Sequence, residues 1–369
     1  MYSHELPNWP QFAWNSHTIS PLLELIHKKQ QQLIAQMRSI DFQAREEVVL
    51  EAVTEEIIAS SRIEGELLDS ALVRSSVARH LRVKQPPNSH FSKQIGGIVA
   101  MNRDAAQNFA QPLTKERLFY WHTLLFTKEQ NRFTRITVGS WRLGPADVVS
   151  GPLGDETVHF EAPHADRVES EMERFLNWID QETGLDPLLK AAIAHLWFVT
   201  IHPFDDGNGR IGRAIADLML ARSENSSQRF YSLSMQIEKE RKGYYTILEK
   251  SQKGPLEITP WIDWFLHCLQ RTLETADTSL NRSLHKKKFW KALGGISLNE
   301  RQCKVINLLL DGFEGNLTSS KWAKLTKCSQ DTALRDILDL VTKDVLVKNR
   351  DGGRSTSYAL CPLIDDFFN

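Results

Sequence analysis

Apolar residues recur at three- and four-residue spacings around Leu22–Met37, Arg45–Ser60, Pro187–Phe198 and Trp261–Leu273, the period of a helix that buries one face. These stretches predict a mainly α fold. The pattern breaks within Val138–Pro163, where GSWRLGPADVVSGPLGDETVHFEAP mixes β-branched residues with Gly and Pro, as two short strands and a turn would. A single small β-hairpin is expected there, standing off the helical body as a flap.

The last 75 or so residues carry a different pattern. Leu298–Leu310, Ser319–Thr326 and Ser329–Lys343 read as three short helices, followed by VLVKNRDGGRSTSYAL, a strand, a Gly-Gly turn and a strand. That order is the one found in a winged helix-turn-helix, with Ser329–Leu340 as recognition helix and Asp351–Arg354 as wing tip. From His285 onward there are 14 basic and 10 acidic residues. So mild an excess leaves two readings open, a DNA contact or a wing that packs only on protein. Polar SLNRSLHKKK, within Thr278–Lys288, marks a boundary ahead of this segment. The expected division is a helical module over 1–82, a core over 83–280 and a winged helix over 289–369.

Bulk properties add limits rather than direction. A chain of 369 residues exceeds the roughly 250–300 residues that one core supports. Apolar and charged fractions of 41% and 25% are those of an ordinary globular protein, and the net charge of -1 names no partner. Four cysteines, Cys268, Cys303, Cys328 and Cys361, stand apart without a CxxC pair, which removes thiolate-metal and dithiol chemistry. MYSHELPNWPQF lacks a basic stretch followed by an apolar run, so a cytoplasmic protein without membrane contact is expected.

The chemistry concentrates in HPFDDGNGRIGR, residues 202–213, between the apolar stretches KAAIAHLWFVT and IGRAIADLMLA. A lone histidine behind a helix is usually a cap or a core residue. Here eight specified positions stand at fixed spacing, each with a background of roughly one in twenty. Gly207 and Gly209 let backbone N–H groups approach a ligand at the start of a helix, which makes an anion site suited to phosphate. His202 titrates near neutrality and can take a proton from a hydroxyl. Asp206 is a hard oxygen donor for Mg²⁺. Arg210 and Arg213, three apart on the first helical turn, can grip phosphate oxygens, and Phe204 faces inward to pin the loop.

This segment resembles the Fic family signature H-x-F-x-[DE]-G-N-G-R-x-x-R at every defined position. The resemblance implies a helical Fic core that transfers AMP from ATP to a protein hydroxyl. His202 is then the general base, Asp206 the Mg²⁺ ligand, and Gly207, Asn208 and Gly209 the phosphate cradle. Arg210 adds to the phosphate grip, and Arg213 holds the γ-phosphate. The hairpin is similar to the family's flap, which aligns a target segment by strand addition, with Thr157 and Val158 near the nucleotide. Tyr244, Tyr245 and Gln252 resemble the adenine-side residues, although many Fic proteins carry asparagine where Gln252 stands. SSRIEGE, with Ser60, Glu64 and Gly65, resembles the inhibitory [ST]-x-x-x-E-[GN] motif of self-restrained Fic proteins, on a helix near 54–66. In that reading Glu64 occupies the Arg213 donors that the γ-phosphate needs. SHELPNWPQFAW and the C-terminal wing together look like the layout of long bacterial Fic proteins with an extra N-terminal domain.

The function expected is an autoinhibited protein adenylyltransferase acting on Ser, Thr or Tyr, including its own. Its cofactors are ATP and Mg²⁺, and its partners a protein substrate docked on the flap and a second copy of the chain. Two alternatives stay open: removal of AMP or transfer from another phosphate donor, and a winged-helix regulator that binds DNA weakly.

Overall fold

The computed structural model describes residues 1–83, 92–126, 136–150, 157–181, 184–349 and 356–361. It is mainly helical and falls into two compact units, Met1–Ala276 and Asp277–Asn369.

In the first unit, a 3-10 turn at Ser3–Glu5 precedes five helices: α1 (Ser16–Ser39), α2 (Phe42–Ile63), α3 (Ser70–Leu81), α4 (Lys93–Gln107) and α5 (Lys115–Leu125). The hairpin β1 (Asp147–Ser150) and β2 (Thr157–Glu161) follows. Next come α6 (Ala165–Gln181), α7 (Pro187–Ile201), α8 (Asn208–Glu224), α9 (Leu233–Lys239) and α10 (Arg241–Lys253); α11 (Thr259–Ala292) begins in this unit and ends in the second. Helix starts follow local chemistry: side chains of Asn15, Asp41, Asp69, Ser92 and Thr114 accept backbone N–H groups at the first turns.

Helix α7 sits at the centre because its sequence leaves it no polar face. Every residue from Leu188 to Ile201 is buried, as expected of a helix apolar all round. Pro187 opens it, with Asp186 capping the Leu188 N–H. Helix α8 packs along it and buries most of its own length. Helix α2 is anchored from the side: Glu56 is buried and accepts from the Ser232 hydroxyl (2.8 Å) and the Ser234 N–H (2.9 Å). Strands β1 and β2 pair antiparallel, with Val148 opposite Phe160 and an irregularity between Val148 and Val149. The strands take up less of Val138–Pro163 than the Gly-Pro pattern suggested.

The second unit contains α12 (Glu300–Leu310), α13 (Ser319–Thr326), α14 (Gln330–Thr342), β3 (Leu346–Lys348) and β4 (Tyr358–Leu360), the last two antiparallel. Phe289, Val305, Ile306, Trp322, Ile337 and Leu340 fill its core. The division between the units falls inside α11, so the polar stretch read as a boundary is helical. The expected wing tip, Asp351–Arg354, lies outside the described residues. Among the described residues no helix is long and apolar enough to cross a membrane.

Candidate active site

The loop between α7 and α8 is built by local capping and long-range clamps. His202 ends α7 in the left-handed region at φ 52°, its N–H bonded to the Phe198 carbonyl at 3.0 Å, and Gly207 caps α8 at φ 82°. Asn208 spans the loop: its amide donates to the Phe204 carbonyl at 2.8 Å and its oxygen accepts the Phe204 N–H at 3.0 Å. Asn208 is buried and its side chain is spent on the backbone, so it shapes the cradle from behind instead of lining it.

Two residues that the sequence reading passed over hold the loop from outside. Arg142 is buried; its Nε donates to the His202 carbonyl at 2.7 Å, and its Nη groups reach the carbonyls of Gly144 (2.7 Å) and Pro163 (2.5 Å). Its own N–H donates to the Pro203 carbonyl at 2.9 Å. His122, fully buried on α5, lies flat on Phe204 with ring centroids 4.2 Å apart. The Gly139 N–H donates to its Nδ1 at 3.0 Å, which leaves Nε2–H to donate to the Asp206 carbonyl at 3.2 Å. Burial pushes the His122 pKa down to about 4, so the ring is neutral. Phe204 is fully buried, as its place in the motif suggested.

His202, Gly209, Glu64, Tyr244, Tyr245 and Gln252 line one cleft of about 790 Å³, with Val148, His159 and Phe160 of the hairpin on its wall. The Val199 carbonyl takes up His202 Nδ1 at 3.2 Å, which leaves Nε2 as the proton acceptor. Burial lowers the His202 pKa below its ordinary value. Thr157 and Val158, expected nearest the nucleotide, are not among the cleft-lining residues; His159 and Phe160 of the same strand are. Of the two tyrosines, Tyr244 is core: it is buried, and its hydroxyl meets His195 Nε2 at 2.8 Å. Tyr245 is the half-exposed ring, its hydroxyl donating to the Ile63 carbonyl at 3.3 Å. Gln252 is buried, its amide 3.4 Å from both the Val199 carbonyl and the Thr200 hydroxyl.

The end of α2 closes over the start of α8. Arg213 Nη1 pairs with Glu64 Oε1 at 2.8 Å, while its Nε and Nη2 donate to the Ser60 hydroxyl and carbonyl at 2.9 and 2.8 Å. The Glu64 carboxylate lies so close over Gly209 that a Cβ there would meet Oε1 at 2.0 Å. Burial alone would raise the Glu64 pKa; the Arg213 guanidinium, with smaller contributions from Arg210 and His202, holds it below the usual carboxylate value.

A triphosphate with Mg²⁺ fits this donor set. Arg210 is buried with its Nε lacking an acceptor among the described residues, which is a donor aimed at no protein group. Asp206 is exposed at the loop, its Oδ1 accepting the Gly207 N–H at 2.5 Å, while the neighbouring Asp205, also exposed, accepts the Thr137 N–H at 2.8 Å. Among the described residues no group of three or more metal-ligating side chains forms. The ion would therefore be held by Asp206 and the phosphates together, as Mg²⁺ commonly is.

Comparison with known proteins agrees with this geometry. Residues 112–220 match the Fic/DOC family, and residues 2–83 match a domain of unknown function, DUF4172. Two relatives described as "Protein adenylyltransferase Fic", from Drosophila grimshawi and Drosophila virilis, are each 33% identical over 105 residues. Those residues are 28% of this chain and 20% of the relative, so the match spans about a fifth of the length of these curated proteins. A Fic family protein of Desulfovibrio desulfuricans has a similar fold over 92% of this chain and 96% of its own, at 21% identity and a TM-score of 0.52. A Fic domain containing signaling protein of Bacteroides thetaiotaomicron covers 70% of this chain and 97% of its own, at 19% identity and a TM-score of 0.53. The loop and its buried clamps lie inside the segment, residues 112–220, that matches the Fic/DOC family.

Proposed function

We propose that the chain is an adenylyltransferase that moves AMP from ATP to a Ser, Thr or Tyr hydroxyl of a protein, and that Glu64 holds it in check. The observation that carries this reading is the juxtaposition, in one cleft, of His202, Gly209 at the start of α8, and the Glu64 carboxylate paired to Arg213.

In this reading His202 Nε2 removes the proton of the attacking hydroxyl. The hydroxyl oxygen bonds to the α-phosphorus, the bond to the bridging oxygen between α- and β-phosphate breaks, and pyrophosphate leaves. Backbone N–H groups at the start of α8 and the two arginines hold the phosphates, so catalysis is chiefly orientation and charge stabilisation. Asp206 would hold Mg²⁺, which would neutralise part of the phosphate charge. The free edge of the flap presents the target strand, as strand addition does. Glu64 blocks the reaction by taking the Arg213 donors that the γ-phosphate requires.

The test is label transfer from α-³²P ATP, with γ-labelled ATP as control, by wild type and by Glu64→Gly protein. Label from the α position alone, stronger in the variant and absent when His202→Ala is added, is the expected result. Label from γ, or none from either, sinks the proposal. Because Glu64 and His202 share the cleft, AMP removal is the second reading; release of AMP from modified protein by wild type, lost in Glu64→Gly, favours it.

DNA binding by the second unit is the weaker proposal. The exposed face of α14 carries Asp331, Leu334, Arg335, Leu338 and Asp339, which offers little to neutralise phosphates. Retention of DNA on filters that falls steeply with salt would restore it.

A further inference from the structure

The inhibitory motif ends at Gly65, but the contacts over α8 do not. Helix α2 closes with the paired bonds of a Schellman end: the Glu66 N–H reaches the Ser61 carbonyl and the Gly65 N–H the Arg62 carbonyl, each at 3.0 Å. Gly65 takes the left-handed conformation at φ 83° that this end requires. The reversal delivers a second carboxylate beside the first. Glu66 Oε2 pairs with Arg210 Nη1 at 2.9 Å, and its Oε1 accepts from the Gln94 amide.

Arg210 is otherwise arranged for an anion. It is buried, its guanidinium rests 5.3 Å from the Phe126 ring centroid, its Nη2 is 3.8 Å from Asp206 Oδ1, and its Nε has no acceptor among the described residues. Two positive charges at the start of α8 are thus matched by two negative charges from one turn, Glu64 on Arg213 and Glu66 on Arg210. An anion site depends on uncompensated donors and the positive helix end. Releasing one arginine restores half of that charge.

We propose that Glu66 is a positioning residue that holds Arg210 off the phosphates, so that the turn Glu64–Gly65–Glu66 shuts both arginines of the site together. The inference rests on the ATP reading above and adds a second carboxylate to its control. Opening the site for full nucleotide affinity requires the turn to leave as a unit.

The experiment compares wild type, Glu64→Gly, Glu66→Gln and the double variant. It reads equilibrium binding of a fluorescent ATP analogue with Mg²⁺, and KM and kcat for AMP transfer. Glu66→Gln keeps the size of the side chain and can still meet Gln94. Gln94→Ala in the Glu64→Gly background removes the other Glu66 contact without touching Arg210.

The double variant is expected to bind about tenfold more tightly than Glu64→Gly, the scale of one freed charge-assisted contact. The gain should appear in KM for ATP with kcat changed by less than about twofold. Gln94→Ala should leave affinity at the Glu64→Gly level. Equal affinity of the double and Glu64→Gly variants, a fall in kcat, or an equal gain from Gln94→Ala each overturns the role of Glu66 while leaving that of Glu64 standing. No gain in nucleotide binding in any variant overturns both.

Discussion

The Arg142 guanidinium is bonded to the backbone of His202, not to its ring: Nε donates to the His202 carbonyl at 2.7 Å, and the Arg142 N–H to the next carbonyl, that of Pro203, at 2.9 Å. One buried side chain therefore fixes where the end of α7 stops and where the hairpin begins. Arg142→Ala leaves the His202, Gly144 and Pro163 carbonyls without their donor, and should cost about 3 kcal/mol or more. Thermal unfolding of variant and wild type checks this; a Tm within a degree of wild type would refute it.

Asn208 makes both of its bonds to Phe204. Asn208→Ala should cost about 2 kcal/mol by stranding two buried backbone groups, and should reduce transfer in the Glu64→Gly background although the residue faces no ligand. Unchanged transfer with a lowered Tm would mean that the loop keeps its shape without the staple.

His122 invites separation of its packing from its polarity. His122→Phe preserves the stack on Phe204 and loses the bond to the Asp206 carbonyl. In the Glu64→Gly background it should raise the Mg²⁺ concentration needed for half-maximal transfer on the order of tenfold, as removal of an outer-sphere support commonly does. A Mg²⁺ requirement equal to that of the parent would assign His122 to packing alone.

The pH profile follows from the direction of the His202 shift. Burial, the largest influence, lowers its pKa, so the ring loses its proton at lower pH than a free imidazole and serves as a base below the ordinary value of about 6.5. Glu64 acts in the opposite direction, so its removal moves the value further down. The acid limb of kcat/KM for Glu64→Gly, which reports the free enzyme, should lie below about 6.5. A limb at or above that value would contradict a neutral buried base. The same sign holds for stability: a depressed histidine stabilises least when pH falls beneath its unfolded value.

The sequence showed the helices and the loop at 202–213 because both are local. Helical period and cap residues lie within a few positions, and HPFDDGNGRIGR is contiguous. Glu64 and Arg213 came together only through the motif on each side, 149 residues apart by number. What escaped were side chains whose meaning is set by distant backbone. Arg142 sat inside a segment read for its turn signals, and His122 was a lone histidine on a helix. Glu66 stood one residue beyond the inhibitory motif. Tyr244 and Asn208 were placed on the nucleotide by resemblance; Tyr244 does line the cleft but spends its hydroxyl on His195, and the Asn208 side chain is bonded to Phe204. A long-range partner for Arg142, or the face that Tyr244 turns inward, has no periodic signature in one chain.

A carboxylate that rides on the last turn of a helix inherits the behaviour of helix ends. Helix termini open at little free-energy cost and reclose within microseconds, whereas Ser60, one turn back, is bonded to Arg213, and Glu56, two turns back, to Ser232 and Ser234. In the proposed reading, arrest by Glu64 would then be a ratio of closed to frayed copies, its leakiness rising with temperature without any domain having to move.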